Sequence, residues 1–383
     1  MLRVDELEIA IDYCKKYLID TSTSDEQKKQ DVMAMLVDLK LEMEQHKESI
    51  TTGKEPEKCT KFKGHEFAIQ SASGRNPYCE TCLSTIWRIA QRWRRCRVCG
   101  FRVHEKCMEK TKRPCAGLKV NQPGFSLNYK ICPEVSLVEQ NFQCAECQAP
   151  IGFDEGLEFE ARLCDYTGRF YCKKCHWNDV MYIPARIVRN WDAEKRLVCR
   201  AAKQLLVIVD KKPIINISVE NPALLRYVNA MNKMHKLRRC IMLMKCYFIC
   251  CKRARKLRIL QYLNKYQHFV ESSEMYTLND LVQLATGTLL KDIEVIVGIF
   301  KCHITVECEI CMGNAFICEL CTVKEVLYPF SDGVSICRDC CAVFHQPCFD
   351  RVSKRCSRCA RRRARRCFTF DENEENDSKN KMI

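Results

Sequence analysis

Cysteine pairs separated by two residues recur along this chain of 383 residues, which holds 31 cysteines and 8 histidines. Such a pair places two sulfur atoms on one turn of backbone, at about the separation that tetrahedral zinc needs. The segment Met1 to Lys16 is charged and lacks the apolar core of a secretory signal, so we expect a reducing, cytoplasmic compartment. In that compartment paired cysteines more often bind metal than form disulfides, and the spacing therefore predicts Zn²⁺.

The first zinc block covers residues 65–115 and supplies eight candidate ligands. They are His65, Cys79, Cys82, Cys96, Cys99, His104, Cys107 and Cys115. Eight ligands make two tetrahedral sites with no open position, which predicts structural zinc rather than catalytic zinc. Each such site contributes on the order of 10 kcal/mol to folding.

These spacings, together with Phe67, Pro77 and Trp87, resemble the phorbol-ester/diacylglycerol-type zinc finger of protein kinase C. The resemblance implies two interleaved sites, one from His65, Cys96, Cys99 and Cys115 and the other from Cys79, Cys82, His104 and Cys107. Lipid-binding members of that family carry Gln-Gly where this chain has Arg92 and Trp93. The loop around these positions is basic and aromatic, which favours contact with an anionic membrane surface. A protein-binding or purely structural module is the alternative to diacylglycerol recognition.

The second block has the spacing of a zinc ribbon. Cys144-x2-Cys147 is followed by Cys172-x2-Cys175, and we interpret these four cysteines as the ligands of one zinc. The run from Cys172 to His176 also matches a covalent haem attachment motif. That chemistry needs an oxidising assembly route, which we do not expect for this chain.

The third block contains five ligand pairs between residues 308 and 359. They are Cys308 and Cys311, Cys318 and Cys321, Cys337 and Cys340, His345 and Cys348, and Cys356 and Cys359. The last four pairs have the order of a cross-brace finger. Alternation predicts one site from the pairs at 318 and 345 and another from the pairs at 337 and 356. The first pair lacks two ligands, for which Cys302 and His303 are the nearest candidates, so we expect about five zinc ions, or about six with this site.

Cross-brace spacing does not by itself select a function. The stretch 322–336 lacks the basic-histidine motif of a phosphoinositide-binding finger, and residues 353–355 lack the tryptophan of a histone reader. The histidine also comes later in the ligand order than in a ubiquitin-ligase RING. The arginine run at 361–366 is either a phosphate-binding or targeting segment or the solvated end of the finger.

Helical segments surround and separate these blocks. Apolar residues recur at a helical period within residues 1–48, which predicts a surface helix pair or a docking helix before a polar linker. Asn221-Pro222 begins a helix whose apolar residues continue to Met234, and Thr277 with Asp280 is a capping-box variant. The predicted fold class is α+β: a diacylglycerol-type finger, a zinc ribbon and a cross-brace finger joined by a helical segment. The acidic tail is predicted to be disordered.

Charge and composition narrow the classes of function. The formal charge is +15, but zinc-bound cysteines are thiolates, so the five complete sites lower it to about +8. We therefore expect no nucleic-acid partner. The longest apolar stretch, Cys240 to Cys251, is too short to span a bilayer. We find no phosphate-cradling glycine loop, no HExxH and no nucleophile motif, and we expect a protein that is not an enzyme.

Longer motifs resemble the Rubicon-homology domain. They include NFQCAECQAPI at 141–151, FICELC at 316–321 and ICRDCCAVFHQPCF at 336–349. A phorbol-ester-type finger followed by this domain resembles the family called differentially expressed in FDCP eight, over about residues 60–367. The resemblance implies a helical segment with linker at 1–60, the finger at 61–117, the Rubicon-homology domain at 130–367 and a tail at 368–383. Within that domain we expect the ribbon at 141–180, the helical part at 184–303 and the cross-brace finger at 304–362.

The resemblance also implies a role. Members are non-enzymatic adaptors, peripheral on late endosomes and lysosomes, that regulate lysosome positioning or autophagic maturation. The implied partners are a GTP-loaded late-endosomal Rab GTPase and a pleckstrin-homology adaptor of the same pathway. For the Rab contact our hypothesis is an apolar surface within 277–303, unless these residues form core: Leu278, Leu281, Leu284, Leu289, Ile293 and Ile296. The alternatives are a lipid-responsive intracellular signalling module driven by residues 65–115 and, with less support, a ubiquitin ligase.

Overall fold

The computed structural model describes residues 4–20, seven positions between 32 and 43, and residues 59–70, 77–87, 92–153 and 160–363. This part of the chain mixes helices with short antiparallel strands, which confirms the α+β fold class. The chain divides into two compact units. The first contains Met1–Val228 and Glu274–Gly287, and the second contains Asn229–Ser273 and Thr288–Ile383. Most of the expected polar linker and all of the expected acidic tail lie outside the described residues.

An N-terminal helix pair opens the first unit. Leu7, Ile11 and Cys14 share one face of α1 (Val4–Asp20), because they recur at intervals of four and three residues. They are buried against Leu36 and Leu39, and every described position between 32 and 43 is helical. The apolar period in this part of the sequence thus corresponds to helical positions of the described residues that pack against α1.

A four-stranded antiparallel sheet carries the first zinc block. Its strands are β1 (Thr60–Phe62), β2 (His65–Ile69), β3 (Trp93–Cys96) and β4 (Arg102–His104), in that order across the sheet. A short 3-10 helix (Glu105–Cys107) and α2 (Ala116–Val120) follow. Phe67, Ile86, Phe101 and Val103 fill the core beneath the sheet. The register places Phe67 opposite Cys96 and Trp93 opposite His104, which brings ligands from distant parts of the block together.

Two hairpins and four short helices follow in the first unit. The hairpins are β5 (Arg162–Cys164) with β6 (Arg169–Tyr171) and β7 (Asp179–Tyr182) with β8 (Lys195–Val198). The helices are α3 (Pro184–Asn190), α4 (Arg200–Val209), α5 (Ile217–Glu220) and α6 (Pro222–Tyr227). Gly168 closes the first hairpin at φ +67°, and a Cβ there would lie 2.1 Å from the carbonyl oxygen of Pro133. Only glycine fits this turn, because the obstacle is backbone.

The predicted capping box is present. Strand β10 (Met275–Tyr276) pairs with β9 (Ile215–Asn216). Helix α10 (Leu278–Ala285) follows β10 after Thr277. The Thr277 hydroxyl accepts a hydrogen bond from the Asp280 amide at 2.9 Å, and the Asp280 carboxylate accepts one from the Thr277 amide at 2.8 Å. This reciprocal pair fixes the start of α10.

The helix predicted from Asn221-Pro222 begins where expected but ends early. Pro222 opens α6, which stops at Tyr227, and Val228 has an extended backbone. The apolar residues expected in one helix are therefore divided, and Met231 and Met234 belong to α7 (Asn229–Cys250). Asn221 does not cap α6 with its side chain, because its amide donates to the carbonyl of Val188 instead.

The second unit combines a helical part with a small finger. The helical elements are α7, α8 (Lys252–Lys256), a 3-10 segment (Ile259–Tyr266), α9 (His268–Glu271), α11 (Thr288–Cys302), a π-helical turn (His303–Glu307) and α12 (Glu309–Gly313). Phe248 of α7 packs edge-to-face on Phe300 of α11. The finger contains β11 (Phe316–Ile317) with β12 (Val326–Leu327), β13 (Val334–Ile336) with β14 (Val343–His345), and α13 (Gln346–Arg351). No helix among the described residues has the length and apolarity that crossing a membrane requires.

For the apolar residues within 277–303, the alternatives were a docking surface and core, and the structure places most of them in the core. Five of the six residues are buried core, and they are Leu278, Leu281, Leu284, Leu289 and Ile293. Ile296 is half-buried. The helical period that suggested a docking face here is instead the period of residues that pack inward in each unit.

Candidate metal centres

The His65 cluster consists of His65, Cys96, Cys99 and Cys115. All four residues are buried, and their ligand atoms lie within 4.8 Å of one another. His65 begins β2 and Cys96 ends β3, and the sheet register pairs Cys96 with Phe67, two residues from His65. The Nε2–H group of His65 donates to the carbonyl of Arg113 at 3.1 Å, while Nδ1 lies 3.3 Å from the Cys99 sulfur. This outer hydrogen bond orients the ring with Nδ1 toward the sulfurs, as in metal-bound histidines.

The His104 cluster consists of Cys79, Cys82, His104 and Cys107, and its ligand atoms also lie within 4.8 Å of one another. The His104 Nδ1 atom is 3.4 Å from the Cys82 sulfur and 3.9 Å from the Cys107 sulfur. Leu83 has a positive φ of 64° and its amide donates to the Cys79 carbonyl, which closes the tight turn of the first pair. The ligands in these two clusters are divided in the interleaved way that the finger resemblance implied.

The ribbon cluster consists of Cys144, Cys147, Cys172 and Cys175. The sulfurs of Cys147 and Cys172 are 3.5 Å apart, so the two distant pairs meet as the ribbon spacing predicted. His176 does not join them: it is fully buried, and its Nδ1 accepts a hydrogen bond from the Asn178 amide. Haem attachment would use the thiols of Cys172 and Cys175, but both lie in a cluster with Cys144 and Cys147. This arrangement favours the metal site over the haem interpretation.

The Cys251 cluster corrects our prediction for the incomplete pair. Cys308 and Cys311 lie with His303, as expected, but the fourth member is Cys251 and not Cys302. The Cys251 sulfur is 3.6 Å from that of Cys308 and 3.7 Å from His303 Nε2. Cys302 is exposed, and its thiol donates to the carboxylate of Glu307. Cys302 ends α11 on its outer face, so adjacency in sequence to His303 does not bring it inward.

Two clusters form the cross-brace finger of the second unit. The His345 cluster consists of Cys318, Cys321, His345 and Cys348, with 3.4 Å between the Cys321 sulfur and His345 Nδ1. The Cys337 cluster consists of Cys337, Cys340, Cys356 and Cys359. Its sulfurs approach in the pairs 337–359 at 3.7 Å and 340–356 at 3.5 Å. The pairs alternate along the chain as the spacing predicted.

The donor sets fit zinc. Each cluster offers four sulfur or imidazole ligands, which matches the tetrahedral Cys₄ and Cys₃His sets of structural zinc. Backbone amides also favour thiolates in the finger. Burial opposes ionisation of Cys318, but backbone hydrogen bonds at His345 and Leu320, together with side-chain hydrogen bonds to Cys321 and His345, lower the pKa of this thiol to about 7. Backbone hydrogen bonds at Cys340 and Asp339 do the same for Cys337, whose pKa also falls to about 7.

The described part of the chain gives no sign of disulfide pairing, since its cysteines are all free thiols. Cys164 and Cys199 are buried in the first unit outside the clusters named above. Of the basic loop that we expected to face a membrane, Trp87 is exposed and Trp93 is buried in β3. Residues 88–91 of that loop, and 364–366 of the arginine run, lie outside the described residues.

Sequence reasoning missed a buried ionic hub in the first unit. The Glu80 side chain is only 2 % exposed and contacts three guanidinium groups. They belong to Arg200 at 2.6 Å, Arg113 at 3.6 Å and Arg102 at 3.7 Å. Arg200 contacts the Oε1 atom of Glu80, and the side-chain amide of Gln204 in α4 donates to its Oε2 atom at 2.6 Å. Because buried charges need partners, this hub ties the first zinc block to α4.

Two family models match the chain. The model described as "Phorbol esters/diacylglycerol binding domain (C1 domain)" matches residues 65–117, and the "Rubicon Homology Domain" model matches residues 162–364. The second match alone covers more than half of the chain. The fold and its clusters thus define a protein with a C1-type zinc finger followed by a Rubicon-homology domain.

Curated relatives narrow this class. The chain is 50% identical over 323 residues to "Differentially expressed in FDCP 8 homolog" of Caenorhabditis elegans, covering 82% of this chain and 66% of that protein. It is 34% identical over 381 residues to the protein of the same name from Drosophila melanogaster, covering 95% and 76%. It is also 35% identical over 230 residues to "Pleckstrin homology domain-containing family M member 3" of Homo sapiens, covering 60% and 30%. The chain belongs to the family of differentially expressed in FDCP 8 homologs, as its motifs had indicated.

Proposed function

We propose that each of the six clusters binds one structural Zn²⁺ and that these ions hold the modules in shape. The closed Cys₄ and Cys₃His donor sets support this proposal, since they leave no position open for a substrate. Four of the clusters join pairs from separate stretches of sequence. Zinc binding there contributes folding free energy directly. The expected limits of the modules, with the Rubicon-homology domain beginning near 130, are part of the same proposal.

We propose that the chain is a non-enzymatic adaptor on late endosomes and lysosomes that binds a Rab GTPase in its GTP-loaded state. Membership of the Rubicon-homology class supports an endolysosomal adaptor. The relative named for a pleckstrin homology domain supports a pleckstrin-homology adaptor as a second partner in the pathway. The function that follows is control of lysosome positioning or autophagic maturation.

A set of exposed apolar side chains in the second unit carries the Rab proposal. Val295, Ile299, Val306 and Ile310 are 36 to 67 % exposed within a stretch of sixteen residues. Val295 and Ile299 lie one turn apart on α11 and therefore share a face. Exposed apolar residues concentrated in this way mark interaction surfaces more often than isolated ones do. His303 and Cys308 of the Cys251 cluster lie in the same stretch, so zinc would fix its shape.

A pull-down with a late-endosomal Rab tests this function. We expect the full chain to bind the Rab loaded with a GTP analogue and not the GDP form. Val295→Asp and Val306→Asp should weaken binding at least about tenfold, which corresponds to about 1.4 kcal/mol. Val323→Asp is the matched control, because Val323 is also an exposed valine of the same unit, 54 % against 65 % for Val295 and 67 % for Val306. Equal binding to both nucleotide states would contradict the effector role. If Val295→Asp and Val306→Asp bind the Rab as well as the control Val323→Asp does, these apolar residues do not form the Rab contact.

Exposed Trp87 in the C1-type finger supports a second candidate, a lipid-responsive signalling module. An exposed tryptophan near basic residues suits the headgroup region of an anionic membrane. Flotation with liposomes separates the candidates. Binding that requires diacylglycerol and is lost in Trp87→Ala would favour the lipid-responsive module, whereas binding that is indifferent to diacylglycerol would favour the adaptor.

A further inference from the structure

A positively charged cleft lies in the first unit between the C1-type sheet and α4. Its volume is about 740 Å³, within the range of small-molecule sites. Strands β3 and β4 form one wall and α4 forms the other. The charged residues that line it are Arg95, Arg97, Arg102, Arg200, Lys203 and Asp179. Basic side chains therefore outnumber the one carboxylate among the described residues that line the cleft.

The buried carboxylates satisfy only part of this charge. Arg200 pairs with Glu80 at 2.6 Å and with Asp179 at 2.7 Å. Lys203 also approaches Asp179, at 3.4 Å. Arg95 is exposed, and no carboxylate among the described residues lies within ion-pair distance of it. Among the described residues, Glu80 and Asp179 are shared by Arg102, Arg200 and Lys203, and Arg95 adds a further positive charge. This excess gives the cleft a positive potential that low-dielectric walls intensify.

Mutual repulsion among the guanidinium groups supports the same conclusion. The pKa of Arg102 is lowered, first by burial and next by the charge of Arg200; Glu80 and Asp179 oppose this shift, and Arg95 adds to it. The three groups are therefore close enough to oppose one another. An anion placed between them would relieve this repulsion.

Two of the cations, Arg200 and Arg102, are also held in place before any ligand arrives. The Arg200 guanidinium lies 4.1 Å from the ring centre of Trp177, and that of Arg102 lies 6.0 Å from it on the same ring system. Tyr78 packs edge-to-face on Trp177. Gln204 and Glu80 join the two walls with a 2.6 Å hydrogen bond. Groups fixed in this way lose little conformational entropy on binding.

We propose that this cleft binds a compact ligand with several phosphate groups, of the inositol phosphate type. Guanidinium groups pair with phosphate oxygens in a bidentate manner, and several convergent forks select a ligand with several phosphates over a single one. The same chemistry occurs in a soluble inositol polyphosphate and in the headgroup of a phosphoinositide. The proposal depends on neither the Rab contact nor diacylglycerol, since it uses other residues.

Titration calorimetry on the full, zinc-loaded chain tests the cleft. The probes are inositol hexakisphosphate, inositol trisphosphate and inorganic phosphate. We expect affinity to rise with the number of phosphates and to fall as sodium chloride is raised from about 0.1 M to about 0.5 M, because screening shortens the reach of these charges. Arg95→Glu and Lys203→Glu should each weaken binding at least about tenfold.

Matched control variants distinguish binding in the cleft from non-specific attraction of anions to the positive charge of the protein. Arg169→Glu and Lys130→Glu change an exposed arginine and an exposed lysine of the first unit that do not line the cleft. Both should bind as the unchanged chain does. Arg95→Gln and Lys203→Gln serve if the charge reversals disturb folding, which circular dichroism and zinc content report. Loss of affinity in the control variants equal to that in the cleft variants would overturn the proposal.

Vesicles distinguish the two sources of the phosphates. One set contains phosphatidylinositol bisphosphate, and the other contains phosphatidylserine at equal total charge. Preferential binding to the first set that Arg95→Glu abolishes assigns the cleft to a lipid headgroup. Binding of soluble inositol phosphates without vesicle binding assigns it to a free ligand. Failure of every phosphate probe to bind, or binding of an acidic peptide alone, would overturn the proposal.

Discussion

The sulfur of Cys251 lies 3.6 Å from the sulfur of Cys308, although 57 residues separate them in the chain. The contact follows from helix packing. Cys251 comes directly after α7, the π-helical turn with His303 comes directly after α11, and Phe248 packs on Phe300 between the two helices. The Cys251 thiolate also accepts a hydrogen bond from the Ala254 amide and so caps α8. A zinc ion in this cluster would join the two long helices to the start of the finger.

Serine substitutions distinguish the two cysteines that compete for this site. Cys251→Ser should remove one zinc per chain and lower the thermal midpoint of the second unit, because a three-ligand site loses most of its affinity. Cys302→Ser is the control, since its thiol is exposed and turned away from the cluster. Zinc released to a colorimetric chelator on unfolding gives the count. Loss of a zinc in Cys302→Ser but not in Cys251→Ser would reverse the assignment.

The ionic hub at Glu80 predicts a large cost for a small change. Glu80→Gln removes the negative charge and leaves Arg200, Arg113 and Arg102 without their shared partner. We expect a loss of about 3 kcal/mol in the free energy of unfolding, because breaking a buried charge network leaves uncompensated charge. Urea unfolding of the zinc-loaded chain measures it. Glu109→Gln, an exposed glutamate of the same module, should change stability by less than about 0.5 kcal/mol, and equal effects of the two would refute the hub.

We expect the buried His176 to contribute to the pH dependence of the free energy of unfolding. Burial, followed by repulsion from Arg162, lowers its pKa below the usual 6.5. Below about pH 6.5 the unfolded chain therefore binds a proton that the folded chain resists. The stability that neutral His176 contributes is present above that pH and is lost as the pH falls through the lowered pKa. His176→Gln should make unfolding free energy less steep between about pH 7.5 and pH 5.5.

Zinc content must be followed in the same buffers, because acid also protonates the ligands. A slope that is the same in His176→Gln and the unchanged chain, at equal zinc content, would show that this ring does not contribute. Chemical denaturation at each pH gives the slope.

Alanine substitutions at two glycines with similar φ angles distinguish the cost of backbone strain from the cost of a steric clash. Gly168 has φ +67° and Gly124 has φ +78°, but a Cβ on Gly168 would meet the Pro133 backbone at 2.1 Å while one on Gly124 meets nothing within 4 Å. Gly124→Ala should cost about 1 kcal/mol from backbone strain alone. Gly168→Ala should cost about 1–3 kcal/mol more, since the Pro133 carbonyl must move. Equal losses of unfolding free energy would mean that the β5–β6 turn rearranges freely.

Local patterns predicted the parts of this molecule that local sequence determines. The Cys-x2-Cys turns, the Thr277–Asp280 capping box and the alternation in the cross-brace finger all depend on residues close in the chain. The predicted helix from Pro222 was too long, because the apolar spacing continues past Val228, where the helix has ended. For the apolar residues near Leu281 and Ile293 the sequence left a docking surface and core as alternatives, and they are core, since a helical period does not say which side faces water.

The features that sequence reasoning missed arise from tertiary packing. Cys251 joins His303 across 52 residues, and no spacing rule reaches that far. The half-site at Cys308 and Cys311 was the available signal that a further ligand existed, and the adjacent Cys250 and Cys251 after an apolar run were candidates for it. Glu80 gave no signal at all, because its partner Arg200 comes from an element that only the fold places beside it.

Native mass spectrometry of the full chain, purified with zinc and desalted gently, is the most direct measurement of whether these clusters are metal centres. We expect six Zn²⁺ per chain, one for each cluster, and a shift to the metal-free mass with loss of compact charge states after chelation. Three or fewer ions in a folded chain, or an unchanged fold after complete removal of zinc, would contradict it.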